Sequence, residues 1–222
     1  MRSDQTFSPR ALFFDLDGTL CDSDPLHARS WAQVLAPLGI DMPPDRYRTT
    51  ISGRINAEIG AMLFPEKPAS EHARIAEEKE TLFRAMAPRL ERLNGLTALL
   101  GLASRRGLPT ALVTNAPRLN VDHMLRALRL SDRFDPCILA EEVGRGKPDP
   151  LPYATAAARL GIMPSHGLAF EDSSTGIRSA KTAGLMVVAV ATGHTEADLL
   201  DAGADLAVRD FGDRRLARLL GS

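Results

Sequence analysis

Two carboxylates, Asp15 and Asp17, stand at the end of the apolar run Ala11-Leu12-Phe13-Phe14, and Gly18 follows them directly. A second acidic pair, Glu171 and Asp172, closes another apolar run, Gly167-Leu168-Ala169-Phe170. Runs of this kind favour central strands covered on both faces, so the acids at their carboxyl ends fall in the crevice where open parallel sheets hold ligands. Like charges about 4 Å apart repel by roughly 4 kcal/mol at an effective dielectric of about 20. Four converging carboxylates therefore need protons or a cation, and hard oxygen donors favour a divalent ion, Mg2+ first among them.

The residue types suit phosphoryl chemistry. Phosphate monoesters hydrolyse so slowly in water that a site must supply nucleophile, charge neutralisation and leaving-group protonation together. Asp15 is the candidate nucleophile, forming an aspartyl-phosphate that divides one hard displacement into two easier ones. Asp17 can protonate the leaving oxygen and then activate water, and Gly18 permits the sharp turn that aims both carboxylates at one phosphate. Thr114 and Asn115, after the apolar Leu112-Val113, could donate to phosphoryl oxygens, and Lys147 could balance the charge of Asp15 and the transferring group.

Taken singly, each feature has a plainer reading. Asp17-Gly18 is an ordinary turn, Thr114-Asn115 a cap for the helix begun by Pro117, Asp172-Ser173-Ser174 a helix N-cap, and Lys147 a solvated loop lysine. Other phosphate motifs do not match. Glu141 stands where a P-loop needs its first glycine, Lys147 precedes Pro148 rather than Ser or Thr, and Asp149 occupies the last glycine of a dinucleotide fingerprint. The joint occurrence and order of the four groups carry the reading.

Asp15-Leu16-Asp17-Gly18-Thr19-Leu20 resembles the first motif of the haloacid dehalogenase-like superfamily. Leu112-Val113-Thr114-Asn115 resembles its second, Gly146-Lys147-Pro148-Asp149-Pro150 its third, and Phe170-Glu171-Asp172-Ser173 with Gly176-Ile177 its fourth. The resemblance implies Mg2+ held by Asp15, the backbone carbonyl of Asp17 and Asp172, with Glu171 as ligand or supporting partner. Asp17 argues against the dehalogenase and phosphonatase branches and favours phosphate esters.

The resemblance also implies a small all-α cap inserted after the first motif. Its candidate substrate residues are His27, Arg54 and Lys79. The segment Pro25-Leu26-His27 to Trp31, with Lys79, is similar to the β-phosphoglucomutase-like and sugar-phosphate phosphatase branch. Two positions depart from the mutase pattern: Asn56 stands where the mutase cap loop has arginine, and Pro117 where its second motif has lysine. Both count against a mutase.

The elements that must position these residues are legible as β-rich runs at Leu12-Phe14, Ala111-Val113, Cys137-Leu139, Leu168-Phe170, Met186-Val190 and Leu206-Val208. Helical patterns separate the later runs, as β-α alternation requires. The first gap is far longer than the roughly 30 residues of a βαβ unit and reads as helical throughout. The expected fold is an α/β, Rossmann-like, doubly wound parallel sheet formed by residues 1–21 and 93–222, with an α-helical cap inserted at 22–92. Within the cap, Trp31, Val34, Leu35 and Leu38 share one helical face. Ile75, Leu82, Phe83, Met86 and Leu90 form the apolar face of a second helix beginning near Ser70, and Lys79 falls inside that stripe. There Lys79 either reaches the site or snorkels past it to solvent. His27 shares a helical edge with Trp31 and reads as a packed structural histidine, and Arg54 as an exposed one.

Composition narrows the partners. The 222 residues are 44% hydrophobic and carry 27 basic and 28 acidic side chains, with no long block of one sign. Nucleic-acid and anionic-membrane surfaces are not expected. Two cysteines, Cys21 and Cys137, fit a reduced compartment rather than a disulfide framework. Met1 to Arg10 lacks the apolar core of a signal peptide, so a cytoplasmic location is expected. The expectation is a Mg2+-dependent phosphatase, a monomer or weak homodimer, acting on a small phosphorylated metabolite such as a sugar phosphate or phosphoglycolate. The alternatives are a phosphohexose mutase and a non-catalytic protein that binds phosphorylated metabolites.

Overall fold

Four successive apolar residues are satisfied only where both faces of a strand are covered, and β1, Ala11–Phe14, is such a strand, with every side chain fully buried. The computed structural model describes residues 7–220. Residues 1–6, which make up most of the polar N-terminal stretch, lie outside them. After β1 come α1 (Asp24–Leu35), α2 (Pro44–Thr50), α3 (Asn56–Leu63), α4 (Ala69–Met86) and α5 (Leu96–Arg105), before β2 (Thr110–Thr114). Then follow α6 (Arg118–Ala127), β3 (Cys137–Leu139), α7 (Ala140–Val143), α8 (Leu151–Arg159), β4 (Gly167–Glu171) and α9 (Ser174–Thr182). The chain continues through β5 (Met186–Val190), α10 (Glu196–Asp201), β6 (Leu206–Val208) and α11 (Arg214–Leu219).

The six strands pair in parallel in the order β3-β2-β1-β4-β5-β6. All six coincide with the runs read from the sequence. Chain order reverses between β1 and β4, so the crevice beyond their carboxyl ends is where such a sheet presents a site. Register brings the motifs together. Phe14 pairs with Leu112 on one side and Phe170 on the other, so Asp15 leaves β1 beside the residues that leave β2 and β4.

Alternation along the strands divides the core between two faces. Leu12, Phe14, Leu112, Phe170 and Val188 point one way, against Leu96 and Leu99 of α5, Val121 and Met124 of α6, and Leu216 of α11. Phe13, Val113, Ala169 and Val187 point the other way, against Tyr153, Ala156, Ile177 and Leu199. The four helices between Asp24 and Met86 hold an apolar cluster of their own, with Trp31, Leu35, Tyr47, Ile59 and Ile75 among its members. The segment leaves and re-enters beside itself: the Leu93 amide donates to the Leu20 carbonyl at 3.0 Å.

Two details differ from the sequence reading. Leu38 is 41% exposed rather than part of the Trp31 face. The α-helix stops at Leu35 and the 3-10 turn Ala36–Leu38, which contains Pro37, changes the angular step and rotates Leu38 outward. Leu90 lies beyond the end of α4 and packs on the sheet cluster instead of extending the helix face. The helices α2 and α3 are additions that the sequence reading did not contain. Among the described residues, no helix is long and apolar enough to cross a membrane.

Candidate active site

Asp15, Glu171 and Asp172 each present a carboxylate oxygen within 4.8 Å of the others, and all three are buried. Two glycines make room for them. Gly18, at φ +72°, lies where a Cβ would fall 2.1 Å from Oδ2 of Asp172, and a Cβ on Gly176 would fall 1.8 Å from Oε2 of Glu171. Burial pushes the Asp15 carboxyl up to about 8, with Lys147 pulling the other way and Glu171 adding to the rise. Burial, joined by the charges of Asp15 and Glu171, also holds Asp172 well above the carboxylate range.

Lys147 is the cation inside this group. Its Nζ lies 2.5 Å from Oδ1 of Asp15 and 2.5 Å from Oε1 of Glu171. Burial alone would weaken the ammonium, but the two carboxylates reverse that and raise its affinity for the proton. Oε1 of Glu171 also accepts from the Tyr153 hydroxyl at 2.6 Å, while Oε2 is buried with no hydrogen-bond partner. Lys147 is therefore not the solvated loop residue that it resembles in isolation.

Asn115 holds Lys147 in place. Its Oδ1 accepts from the Lys147 amide at 2.9 Å, and its Nδ2 donates to the Lys147 carbonyl at 3.2 Å and to the Gly53 carbonyl at 3.1 Å. Both protons of its side-chain amide are thus directed at backbone carbonyls, which turns the side chain toward Lys147 and Gly53 and leaves only the backbone amide of Asn115 to face a phosphate. Thr114 can still donate to phosphate, because its Oγ1 accepts from the Ala116 amide at 3.0 Å and leaves the hydroxyl proton available. Neither residue caps α6, whose N-cap position is Pro117. Likewise Ser173, not Asp172, caps α9 by accepting from the Gly176 amide, which leaves the Asp172 carboxylate to the site.

Asp17 faces the helical insertion. Its Oδ1 accepts from Ser23 Oγ at 2.6 Å and lies 2.9 Å from Nε2 of His27. Burial would raise the Asp17 carboxyl, yet the contact and hydrogen bond with His27, the hydrogen bond from Ser23 and the Lys79 charge together hold it below its ordinary value. His27 is stacked on Phe83 with ring centroids 3.8 Å apart, so the packing reading was half of its role and contact with Asp17 is the other half. On its far side, Nδ1 of His27 lies 2.7 Å from Nζ of Lys79. An ammonium can only donate, so Nδ1 accepts and Nε2 carries the proton that points at Asp17.

Lys79 is 3% exposed and does not snorkel. It also donates to Glu80 at 3.1 and 3.0 Å, and lies 5.5 Å from the Trp31 ring centroid. Glu80, buried beside it, accepts from Nδ2 of Asn56 at 2.8 Å and Nδ2 of Asn120 at 2.6 Å. Arg54 is exposed, with its Nε donating to the Thr50 carbonyl. A cavity of about 90 Å³ joins these groups, lined by Asp15, Asp17, Thr114, Lys147 and Asp172 from the sheet side and by His27, Arg54, Lys79 and Glu80 from the insertion.

Ser23, Glu80, Asn120 and Tyr153 were not legible as site residues. Only Glu80 carried a signal, as an acid adjacent to a lysine already inside an apolar stripe. The donor set fits a divalent cation: three hard carboxylates converge, one has a buried oxygen without a partner, and glycines stand where any side chain would fill the space.

A family profile for haloacid dehalogenase-like hydrolases matches residues 9–184. The chain belongs to that family. It is 32% identical over 211 residues to validoxylamine A 7'-phosphate phosphatase of Streptomyces hygroscopicus subsp. limoneus, covering 93% of this chain and 96% of that one. It is 30% identical to the phosphorylated carbohydrates phosphatase of Thermotoga maritima, over 79% of this chain and 82% of that protein. Among solved structures, CbbY from Rhodobacter sphaeroides in complex with xylulose-(1,5)bisphosphate superposes with a TM-score of 0.81 at 29% identity, covering 92% of this chain and 96% of that one. The chain is accordingly a hydrolase of the haloacid dehalogenase-like superfamily.

Proposed function

We propose that this hydrolase removes phosphate from a small phosphorylated sugar or related polyol through a phosphoenzyme on Asp15. One observation carries the reading: Asp15, Glu171 and Asp172 converge, Lys147 bridges Asp15 and Glu171, and Asp15, Lys147 and Asp172 line a cavity that Asp17 also reaches. The names of relatives that act on phosphorylated sugars support the substrate class.

In the first step an oxygen of Asp15 attacks phosphorus, and the bond to the ester oxygen breaks. That oxygen leaves with a proton from Asp17. In the second step Asp17, now ionised, takes a proton from water, and the water oxygen displaces Asp15 and releases inorganic phosphate. Asp17 is held in its ionised form before substrate binds. A dianionic phosphate arriving beside it raises its affinity for a proton, which prepares it to act as the acid. Its proton donors, Ser23 and His27, fix its direction.

Lys147, positioned by Asn115, offsets negative charge on Asp15 and the transferring group, and Thr114 donates to a phosphoryl oxygen. A Mg2+ ion would be held by Asp15, Asp172, the Asp17 carbonyl and Glu171, and when bound would supply the further positive charge that lets these carboxylates stay ionised together. Residues 22–92 act as a cap that excludes bulk water, with His27, Arg54 and Lys79 presented from its side. Its ends are held together by the bond between Leu93 and Leu20.

Phosphate release from a panel of sugar phosphates, with and without Mg2+, tests the reading. Metal-dependent release that disappears in Asp15→Asn supports it. A hexose 1-phosphate given with a trace of bisphosphate should yield free phosphate; the isomeric hexose phosphate would indicate a mutase. No turnover of any ester would leave only a binding role.

A further inference from the structure

We infer that the Lys79–Glu80 pair tunes the cavity for esters whose leaving group is uncharged and hydroxylated, and against those whose leaving group carries a second anionic group. The inference rests on the phosphatase reading and names the substrate class of that same site.

The cavity is lined by five carboxylates and three cationic side chains, Arg54, Lys79 and Lys147. Lys147 belongs to the phosphoryl end, bound to Asp15 and Glu171. Lys79 is the one ammonium among the described lining residues on the insertion side, and its three protons are already directed at both oxygens of Glu80 and at Nδ1 of His27. Glu80 is equally complete. Each of its oxygens accepts from Lys79 and from one asparagine amide, Asn56 or Asn120. Only 3% and 4% of these two residues is exposed, so water does not screen them and neither is free to turn toward a ligand. The pair is therefore a neutral, saturated unit where a second anion would need a free cation.

The rest of that wall adds negative charge. Asp24 lines the cavity, with Oδ1 accepting from the Tyr47 hydroxyl at 3.0 Å and Oδ2 facing Ser52 Oγ at 3.5 Å. Hydroxyl groups, which can donate, suit such acceptors. A carboxylate or second phosphate meets repulsion. Arg54 is the exception, but its exposure leaves its charge screened by solvent.

The test compares kcat/KM, with Mg2+, for a hexose monophosphate, the corresponding hexose bisphosphate and phosphoglycolate. The wild-type protein should favour the monophosphate. Glu80→Gln exposes the Lys79 charge and should shift the ratio at least tenfold toward the two anionic esters, as a unit charge a few ångströms away in a partly buried site requires. Lys79→Gln should shift it the opposite way. Asp24→Asn, which leaves the Lys79 network intact, should move the ratio in the direction of Glu80→Gln and serves if that variant does not fold. Ratios that stay constant, or that move the same way in the Glu80 and Lys79 variants, would show a packing role and overturn the inference. Wild-type activity favouring the anionic esters would overturn it too. Release from other members of the sugar-phosphate panel but from none of these three esters would overturn the inference alone, and release from no ester at all would remove the phosphatase reading with it.

Discussion

Asn120 on α6 donates its amide to Oε2 of Glu80 on α4 at 2.6 Å, joining the sheet side of the molecule to the helical insertion through a buried carboxylate. The same side chain accepts from Nη1 of Arg84 at 2.9 Å, so α4 grips it at two points one turn apart. Asn120→Ala removes a donor from an ionised group that is only 4% exposed. The expected loss is about 1–3 kcal/mol of unfolding free energy in urea. Asn120→Asp should lose more, because it sets a carboxylate against Glu80. A change below about 0.5 kcal/mol in Asn120→Ala would mean the contact does not bind the two parts together.

Gly176 sits within α9 at an ordinary helical position, where alanine is favoured by about 1 kcal/mol on propensity alone. Its missing Cβ would lie 1.8 Å from Oε2 of Glu171. Steric exclusion should win, and Gly176→Ala should bind Mg2+ at least tenfold more weakly by calorimetric titration. If the variant is instead more stable and binds metal normally, the space beside Glu171 is not reserved for an ion.

The strands were readable because a parallel sheet buries both faces, and its strands appear as continuous apolar runs ending in the acids. The insertion was harder to read. Helices α2 and α3 are 7 and 8 residues long, and their N-cap positions, Pro43 and Ile55, supply no side-chain cap. Pro44 at the first position of α2 and Asp45 in its first turn do mark a start, but the Pro43-Pro44 pair reads only as the end of the helix before it, and α3 offers no more than Glu58 in its first turn. The motif residues Asp15, Lys147 and Asp172 were legible from type and order. Asn115 reads as a phosphate donor, and its side-chain bonds to Lys147, 32 positions away, and to Gly53, 62 away, have no trace in the sequence. Contacts fixed only by tertiary closure leave no periodic trace, which is also why Asn120 and Tyr153 were not found.

The acidic cluster makes the stability of the metal-free protein and the stabilisation added by metal change in opposite directions with pH. The Asp15 carboxyl rises from 3.8 in the unfolded chain to about 8 when buried, so the folded protein holds a proton that the unfolded one releases between those values. Stability of the metal-free protein therefore falls as pH rises through that window, and the raised Asp172 acts in the same direction. Mg2+ competes with those protons, so its stabilising effect should be small near pH 5 and grow toward about pH 8. Saturation at about 100 times Kd should give roughly 2.7 kcal/mol at the upper end. Thermal melts across this range, with Mg2+ and with EDTA, check the sign. A Mg2+ shift that is constant with pH would contradict it.

Lys147 and Asn115 should separate by their kinetics. Lys147→Met removes the ammonium beside Asp15 and should lower kcat/KM by about 10²–10³, the usual loss for one preorganised charge at a reacting centre. Asn115→Ala keeps the charge but frees the backbone that carries it, and also releases the Gly53 carbonyl of the insertion loop. Displacement of Lys147 should then lower kcat by about tenfold with little change in KM, because the proposed ground-state contact with the phosphate is the Thr114 hydroxyl, which this variant leaves in place. In the background of Lys147→Met, Asn115→Ala should cause almost no further loss in kcat, since the group it positions is gone. Additive losses in the double variant would show instead that Asn115 acts on substrate directly.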